Sequence, residues 1–179
     1  MEKSPKFEDN FPGMSEDQFI FNKKLNKQFG TFMKECLVNE PITTYSKTPT
    51  WSEFFSDKML VMKAIKLGVP FNLFEIIKSI TPLPEAAWAS LLDLSSKSLQ
   101  RYKLENRHFG PLQSEKIFEI VEVNNLGLEV FGTTEKFGLW LDTPNFALAN
   151  EKPLSLLVNS YGKSLLMAEL NRINYGIFA

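Results

Sequence analysis

The stretch "EAAWASLLDLSSKSLQRYK", residues 85–103, has the pattern of two helices joined by a tight turn. Trp88 and Leu92 share one helical face, and Leu99 and Tyr102 form a second apolar face after a short break. Two helices that cross at a steep angle through a few residues need apolar groups at their crossing. The spacing therefore predicts a helix-turn-helix.

The residues of the turn fit this prediction. Ala89 is small enough to let the two helices approach each other, and Asp93 stands where such a turn often needs a positive φ. Aspartate adopts that conformation more readily than most residues that carry a side chain. We expect Ser95 or Ser96 to cap the second helix, whose free N–H groups favour a phosphate.

The second helix carries a local positive charge. The net charge of the chain is -1, so any attraction to nucleic acid must come from such a patch. Glutamine and arginine side chains can bond base edges in a major groove. We predict DNA contacts from Ser96, Lys97, Gln100, Arg101, Lys103 and Arg107. Two helices of a bundle with a solvated basic face would give the same pattern, and both interpretations stay open.

Helical spacing also governs the rest of the 179-residue chain, while alternation of period two is weak. We predict an all-α protein of about eight helices, with one over residues 15–37 capped by Ser15. Ser56 and the threonines before Glu135 are expected helix caps, Pro153 a first helical residue and Gly176 a left-handed C-terminal cap. The predicted division is an N-terminal extension (1–50), a helix-turn-helix region (51–112) and a C-terminal helical domain (113–179).

Composition excludes several classes of site. The chain is 44% hydrophobic and 23% charged, the balance of a soluble globular protein. Cys36 is the only cysteine and His108 the only histidine, so we predict no disulfide, no metal site and no cofactor. We interpret Cys36 as a small buried hydrophobe. No constellation of residues supports catalysis, and we predict that the protein is not an enzyme.

The chain ends suggest a location and a partner. No apolar run reaches the ~18 residues of a membrane helix, and residues 1–13 lack the apolar core of a signal peptide, so we expect a cytoplasmic protein without membrane contact. The last five residues, "YGIFA", are apolar. Such an end docks on its own core, on a second copy or on another protein, and the residues alone favour its own core.

Several blocks of the second half occur in a recognisable order. These blocks are "VFG" (130–132), "WL" (140–141), "TPN" (143–145), "KPLSLL" (152–157) and "RINYG" (172–176). Their order resembles the C-terminal toxin-binding domain of the Xre–MbcA–ParS antitoxins. Upstream, "AIKLGVP" (64–70) and "ASLLDLSSKSLQRY" (89–102) resemble the helix-turn-helix region of that family, so the resemblance covers about residues 54–179.

The resemblance implies an antitoxin of a type II toxin–antitoxin system. Such antitoxins bind and occlude a RES-domain toxin that consumes NAD, and the complex represses its own operon through operator DNA. They form a homodimer within a larger hetero-oligomer. The toxin-binding residues that the resemblance implies are Leu148, Asn150, Lys152, Pro153, Leu154, Leu157, Arg172, Tyr175, Phe178 and Ala179. The alternative is a stand-alone helix-turn-helix transcriptional regulator whose C-terminal half mediates dimerisation.

Three positions depart from the usual pattern of this family. Asn150 stands where glycine is frequent, and asparagine also adopts the left-handed turn. Asp93 replaces a common turn glycine, and Tyr102 replaces a frequent arginine. The last two departures bear on DNA binding, whereas the first bears on the toxin-binding domain.

Overall fold

A computed structural model describes residues 16–37, 49 and 51–176 of the chain. Within these ranges the secondary structure is helical, and no strand longer than an isolated bridge is present. The predicted all-α fold is confirmed. No helix in the described ranges is both long enough and apolar enough to span a bilayer.

Ten α-helices and one 3₁₀ turn follow one another along the described part of the chain. They are α1 (Glu16–Leu37), α2 (Trp51–Ser56), α3 (Lys58–Leu67), α4 (Phe71–Ile80), α5 (Glu85–Leu91), α6 (Ser96–Glu105), α7 (Pro111–Phe131), α8 (Thr134–Asp142), the 3₁₀ turn Phe146–Leu148, α9 (Pro153–Leu156) and α10 (Ser160–Asn174). The sequence predicted about eight helices, because short helices such as the six residues of α2 and the four of α9 are too brief to establish a helical period.

The chain divides into two compact units. Of the described residues, 22–37, 49 and 51–122 form the N-terminal unit, and 123–176 together with 16–21 form the C-terminal unit. The division falls within α1 and within α7.

An aromatic cluster forms one half of the core of the N-terminal unit. The Phe54 ring lies 4.9 Å from the Phe29 ring and 5.2 Å from the Phe118 ring, measured between centroids. Phe29, Phe32 and Met33 of α1 are buried in this cluster. The predicted Ser15 cap of this helix lies outside the described residues.

Cys36, near the end of α1, has the environment of a structural thiol. Burial, followed by the neighbouring charge of Glu35, raises the pKa of the Cys36 thiol to about 12. Cys36 is half-buried and not fully buried as predicted. Because the thiolate is the reactive form of cysteine, the raised pKa still agrees with a structural rather than a reactive thiol.

A second aromatic cluster holds α4, α5 and α6 together. The Phe74 ring lies 5.1 Å from Trp88 and 4.9 Å from Phe109. Tyr102 of α6 stacks on Phe109 at 4.9 Å with an interplanar angle of 17°. Offset stacking of this kind adds to the free energy gained from burial alone. Tyr102 therefore packs α6 against the core, which gives a structural reason for an aromatic residue at this position.

The helix ends show which predicted caps are correct. Thr133 caps α8 by accepting from the Lys136 N–H at 3.3 Å, and Pro153 is the first residue of α9, as predicted. The predicted cap at Ser56 is wrong, because Ser56 ends α2 and the neighbouring Asp57 caps α3. The Asp57 carboxylate accepts from two backbone N–H groups, at 3.0 and 3.1 Å, and its negative charge suits the N-terminal end of the helix dipole.

The C-terminal unit packs α10 closely against α9. Gly162 lies in the first turn of α10, and a Cβ atom at this position would lie only 1.8 Å from the Leu156 carbonyl oxygen. The two backbones therefore approach each other where only glycine fits. Asn159 begins α10 by accepting from the Gly162 N–H at 2.9 Å, and Leu166 and Leu170 bury the inner face of the helix.

Candidate functional site

The segment between α5 and α6 has the predicted turn conformation. Asp93 has a φ of +51°. The Leu94 N–H donates to the Ala89 carbonyl at 2.9 Å and the Asp93 N–H to the Ser90 carbonyl at 3.2 Å, the two bonds of a Schellman motif. Of the two serines considered as caps, Ser95 has this role, and it accepts from the Ser98 N–H at 3.1 Å.

Four of the predicted DNA-contact residues share one exposed side of α6. Ser96, Lys97, Gln100 and Arg101 are all exposed and follow the i, i+1, i+4, i+5 spacing of one helix face. Within the described ranges, neither Lys97 nor Arg101 forms an ion pair, so both cations are available to a partner.

The remaining two cations of the predicted patch already have acidic neighbours. Lys103 Nζ lies 2.9 Å from Glu75 Oε1 of α4, and this hydrogen bond raises the pKa of Lys103. The Arg107 guanidinium lies 3.5 Å from a Glu105 carboxylate oxygen and 5.5 Å from the Tyr102 ring centroid. The local positive excess of α6 is therefore concentrated at Lys97 and Arg101.

Three of the predicted toxin-binding residues belong to the core of the C-terminal unit. Leu148, Pro153 and Leu157 are buried, and Leu154 is half-buried. Asn150 and Lys152 are exposed, and Lys152 Nζ lies 2.8 Å from Asp142 Oδ1. Phe178 and Ala179 lie outside the described residues. The buried members of this set support the unit from within, and a partner can reach only the exposed ones.

Arg172 is held within the C-terminal unit by a carboxylate. Its Nε donates to Glu169 Oε2 at 2.8 Å, and a terminal nitrogen donates to Glu169 Oε1 at 2.8 Å. Asn145 Nδ2 donates to the same Oε1 at 3.3 Å. The hydrogen bonds from Arg172 hold the pKa of Glu169 below its ordinary value, against the opposing effect of burial. Bidentate pairing of this kind fixes the planes of both groups, and Glu169 links α10 to the loop that begins at Asn145.

The outward side of α10 and the residues beside its ends carry a row that is apolar except for Arg172; the sequence analysis named only Arg172 and Tyr175 of its members. Its exposed members include Val158, Tyr161 (83% exposed), Leu165 (56% exposed) and Tyr175. We call the full row the outer α10 stripe; its residues, spaced 3-4-3-4-3, are Val158, Tyr161, Leu165, Ala168, Arg172 and Tyr175. Since the inner face of α10 is also apolar, the helix is hydrophobic on two sides, which is typical of a helix with a second packing partner.

A closed loop over residues 145–151 presents one further aromatic side chain. Phe146 is 88% exposed at the start of the 3₁₀ turn. The Asn145 carbonyl accepts from Leu148 N–H and Asn150 N–H, and the Asn145 N–H donates to the Glu151 carbonyl. Asn150 has a φ of +62°, so the predicted left-handed asparagine is confirmed. Ala149, at +57°, also lies in the left-handed region, which the sequence interpretation missed because alanine rarely adopts it.

Comparison with known proteins relates residues 126–176 to a family of antitoxins. Residues 126–176 match the family described as the Antitoxin Xre/MbcA/ParS C-terminal toxin-binding domain. The segment contains both the outer α10 stripe and the 145–151 loop. The segment is therefore similar to a toxin-binding domain of this antitoxin family, and the resemblance predicted from the sequence is confirmed.

A curated relative extends the likeness beyond this segment. The chain is 26% identical over 121 residues to the "Antitoxin Xre" of Yersinia enterocolitica serotype O:8 / biotype 1B, strain NCTC 13174 / 8081. The alignment covers 67% of this chain and 82% of that protein. Together, the domain match and the relative support an antitoxin role in a toxin–antitoxin system.

Proposed function

We propose that this chain is the antitoxin of a type II system and that it binds and occludes a NAD-consuming RES-domain toxin. The observation that carries this proposal is an exposed apolar helix face, the outer α10 stripe, within a segment that matches a toxin-binding domain. Toxin binding removes this face from water, and the hydrophobic effect favours the complex. The protein itself contributes no catalytic step.

The exposure of Tyr175 supports the proposed way in which the toxin is blocked. Tyr175 is 76% exposed at the end of α10, and the apolar residues Phe178 and Ala179 follow it. Aromatic residues are frequent among those that dominate interface energies. In this proposal α10 docks on the toxin and its apolar end enters the NAD entrance.

A rescue experiment tests this arrangement. Removal of residues 175–179 is expected to abolish the rescue of cells that express the toxin, while the circular dichroism of the shortened chain stays helical. Leu112→Ala is the matched control, because Leu112 is 78% exposed but lies outside the toxin-binding segment. Full rescue by the shortened chain would overturn the placement of the tail. Failure of the full-length chain to rescue would overturn the antitoxin function.

The proposal includes autoregulation of the operon by operator DNA. The exposed side of α6, with Gln100 between the unpaired Lys97 and Arg101, supports it. Arg101→Ala is expected to weaken operator binding and to reduce the salt dependence of log K by about one phosphate contact. Lys103→Ala should have the smaller effect, because Lys103 is paired with Glu75. If Arg101→Ala binds the operator with the same affinity as the parent at matched salt, α6 does not read DNA.

The second candidate is a stand-alone regulator whose C-terminal half only dimerises. The 3-4-3-4-3 spacing of the outer α10 stripe favours packing against another helix, and that helix could belong to a second copy. Sedimentation of the double variant Tyr161→Ala/Leu165→Ala, measured alone and with the toxin, separates the two functions. A loss of the homodimer with toxin binding unchanged supports the regulator, and a loss of toxin binding with the homodimer intact supports the antitoxin.

A further inference from the structure

We infer that Phe146 anchors the antitoxin by inserting its ring into an apolar pocket of the toxin. This inference rests on the proposed function, since it assigns a specific contact to the same partner. Phe146 is 88% exposed, although phenylalanine is among the residues that folding usually buries. It also lies inside the segment that matches a toxin-binding domain.

The loop that carries Phe146 is fixed by its own backbone. Asn145 and Glu151 pair across its ends at 3.1 Å, and the Asn150 N–H donates to the Asn145 carbonyl at 2.9 Å. Inside the loop, the Asn145 side chain accepts from the Ala147 N–H at 2.9 Å. A partner that binds Phe146 therefore meets a loop that is already ordered, which lowers the entropy cost of association.

Two side-chain contacts attach this loop to the rest of the C-terminal unit. Leu148 is buried at 8% exposure, two residues beyond the exposed ring. Asn145 is hydrogen-bonded to the Glu169 carboxylate, which is also paired with Arg172 of the outer α10 stripe. The loop consequently lies next to the C-terminal half of the stripe, and one partner surface can cover both.

The location of the loop favours the toxin over a second copy as the occupant. The loop lies inside the segment that matches a toxin-binding domain. A ring that projects from a closed loop needs a concave apolar site on its partner. Apolar pockets that receive a single aromatic side chain are typical centres of protein interfaces.

The test measures the affinity of the full-length chain for the RES-domain toxin of its own operon by calorimetry. Phe146→Ala is expected to lower the affinity at least ~30-fold, the effect of a hot-spot residue. Leu112→Ala, which removes a similarly exposed apolar side chain in the N-terminal unit, should bind like the parent. Because Phe146 is exposed, its replacement should leave the thermal unfolding midpoint unchanged.

The possible outcomes separate the inference from the proposed function. If the parent binds the toxin and Phe146→Ala binds equally well, the anchor is wrong and the antitoxin function stands. If Phe146→Ala instead dissociates a homodimer without changing toxin affinity, the loop contacts a second copy and the inference is again overturned. If the parent does not bind the toxin, or if the operon encodes none, the proposed function fails together with the inference.

Discussion

Replacing Arg172 with alanine should strongly destabilise the C-terminal unit. The change leaves the Glu169 carboxylate, whose side chain is only 6% exposed, with the longer hydrogen bond from Asn145 Nδ2 at 3.3 Å. Two charge-assisted hydrogen bonds of 2.8 Å are lost, and such bonds contribute ~1.5–3 kcal/mol each. Since the Arg172 side chain is 29% exposed, water screens part of this contribution, and we expect a loss of ~2–4 kcal/mol in the free energy of unfolding.

Thermal unfolding followed by circular dichroism measures this loss. For a chain of this length, ~2–4 kcal/mol corresponds to a fall of about 5–15 °C in the midpoint. Lys152→Ala is the matched control, because it breaks an ion pair of equal length whose side chains are 52% and 71% exposed. Exposed pairs contribute at most ~1 kcal/mol, so the control should melt within about 4 °C of the parent. Equal midpoints for Arg172→Ala and Lys152→Ala would refute the role of burial in this argument.

Three further changes test other parts of the structure. The pKa of Glu169 is lowered in the folded chain, so its contribution to the free energy of unfolding is complete above the ordinary value of 4.5 and is lost as the pH falls through the lowered pKa. Glu169→Gln should therefore flatten the acid side of the plot of stability against pH. An unchanged plot would exclude Glu169 as the source of the acid dependence. Asn124→Leu should raise the unfolding midpoint, since the buried amide has no hydrogen-bond partner among the described residues and its replacement removes a cost of ~1–3 kcal/mol. A lower midpoint would contradict this. Gly162→Ala should destabilise the chain by more than ~2 kcal/mol in urea unfolding, because the alanine Cβ would overlap the Leu156 carbonyl oxygen. A parent-like midpoint would show that α9 and α10 can separate without cost.

Local chemistry made much of the fold predictable. The positive φ at Asp93 and Asn150 and the left-handed Gly176, at +65°, follow from residue types that tolerate that conformation. Thr133 and Pro153 likewise begin their helices for reasons that lie within a few residues of sequence. Features of this kind depend on neighbours along the chain, and the sequence shows those neighbours directly.

Features that depend on tertiary contacts were harder to predict. The pairing of Lys103 with Glu75 joins α6 to α4, two helices that are separated along the chain, and so the sequence overstated the basic patch. Leu148 and Leu157 fit the family pattern, but their burial became clear only once the C-terminal unit was assembled. Arg172 could have been paired with Glu169 from their i, i+3 spacing, which is a usual distance for helical ion pairs.

The exposure of certain apolar residues was harder to predict from the sequence. Tyr161 and Leu165 are four residues apart and lie opposite the buried face of α10, so apolar residues on both sides of one helix were visible in principle. Phe146 gave no such signal. It lies in a loop closed by the left-handed Ala149 and Asn150, and alanine does not predict that conformation.

The affinity of Tyr161→Ala/Leu165→Ala for the RES-domain toxin tests the central claim most directly. Full burial of an aliphatic or aromatic side chain contributes ~1.5–3 kcal/mol, and both side chains are more than half exposed in the free chain. We expect the double variant to keep its helical content and to bind the toxin at least ~100-fold more weakly than the parent in isothermal titration calorimetry. Parent-like affinity in the double variant would contradict the assignment of the outer α10 stripe as the toxin-binding surface.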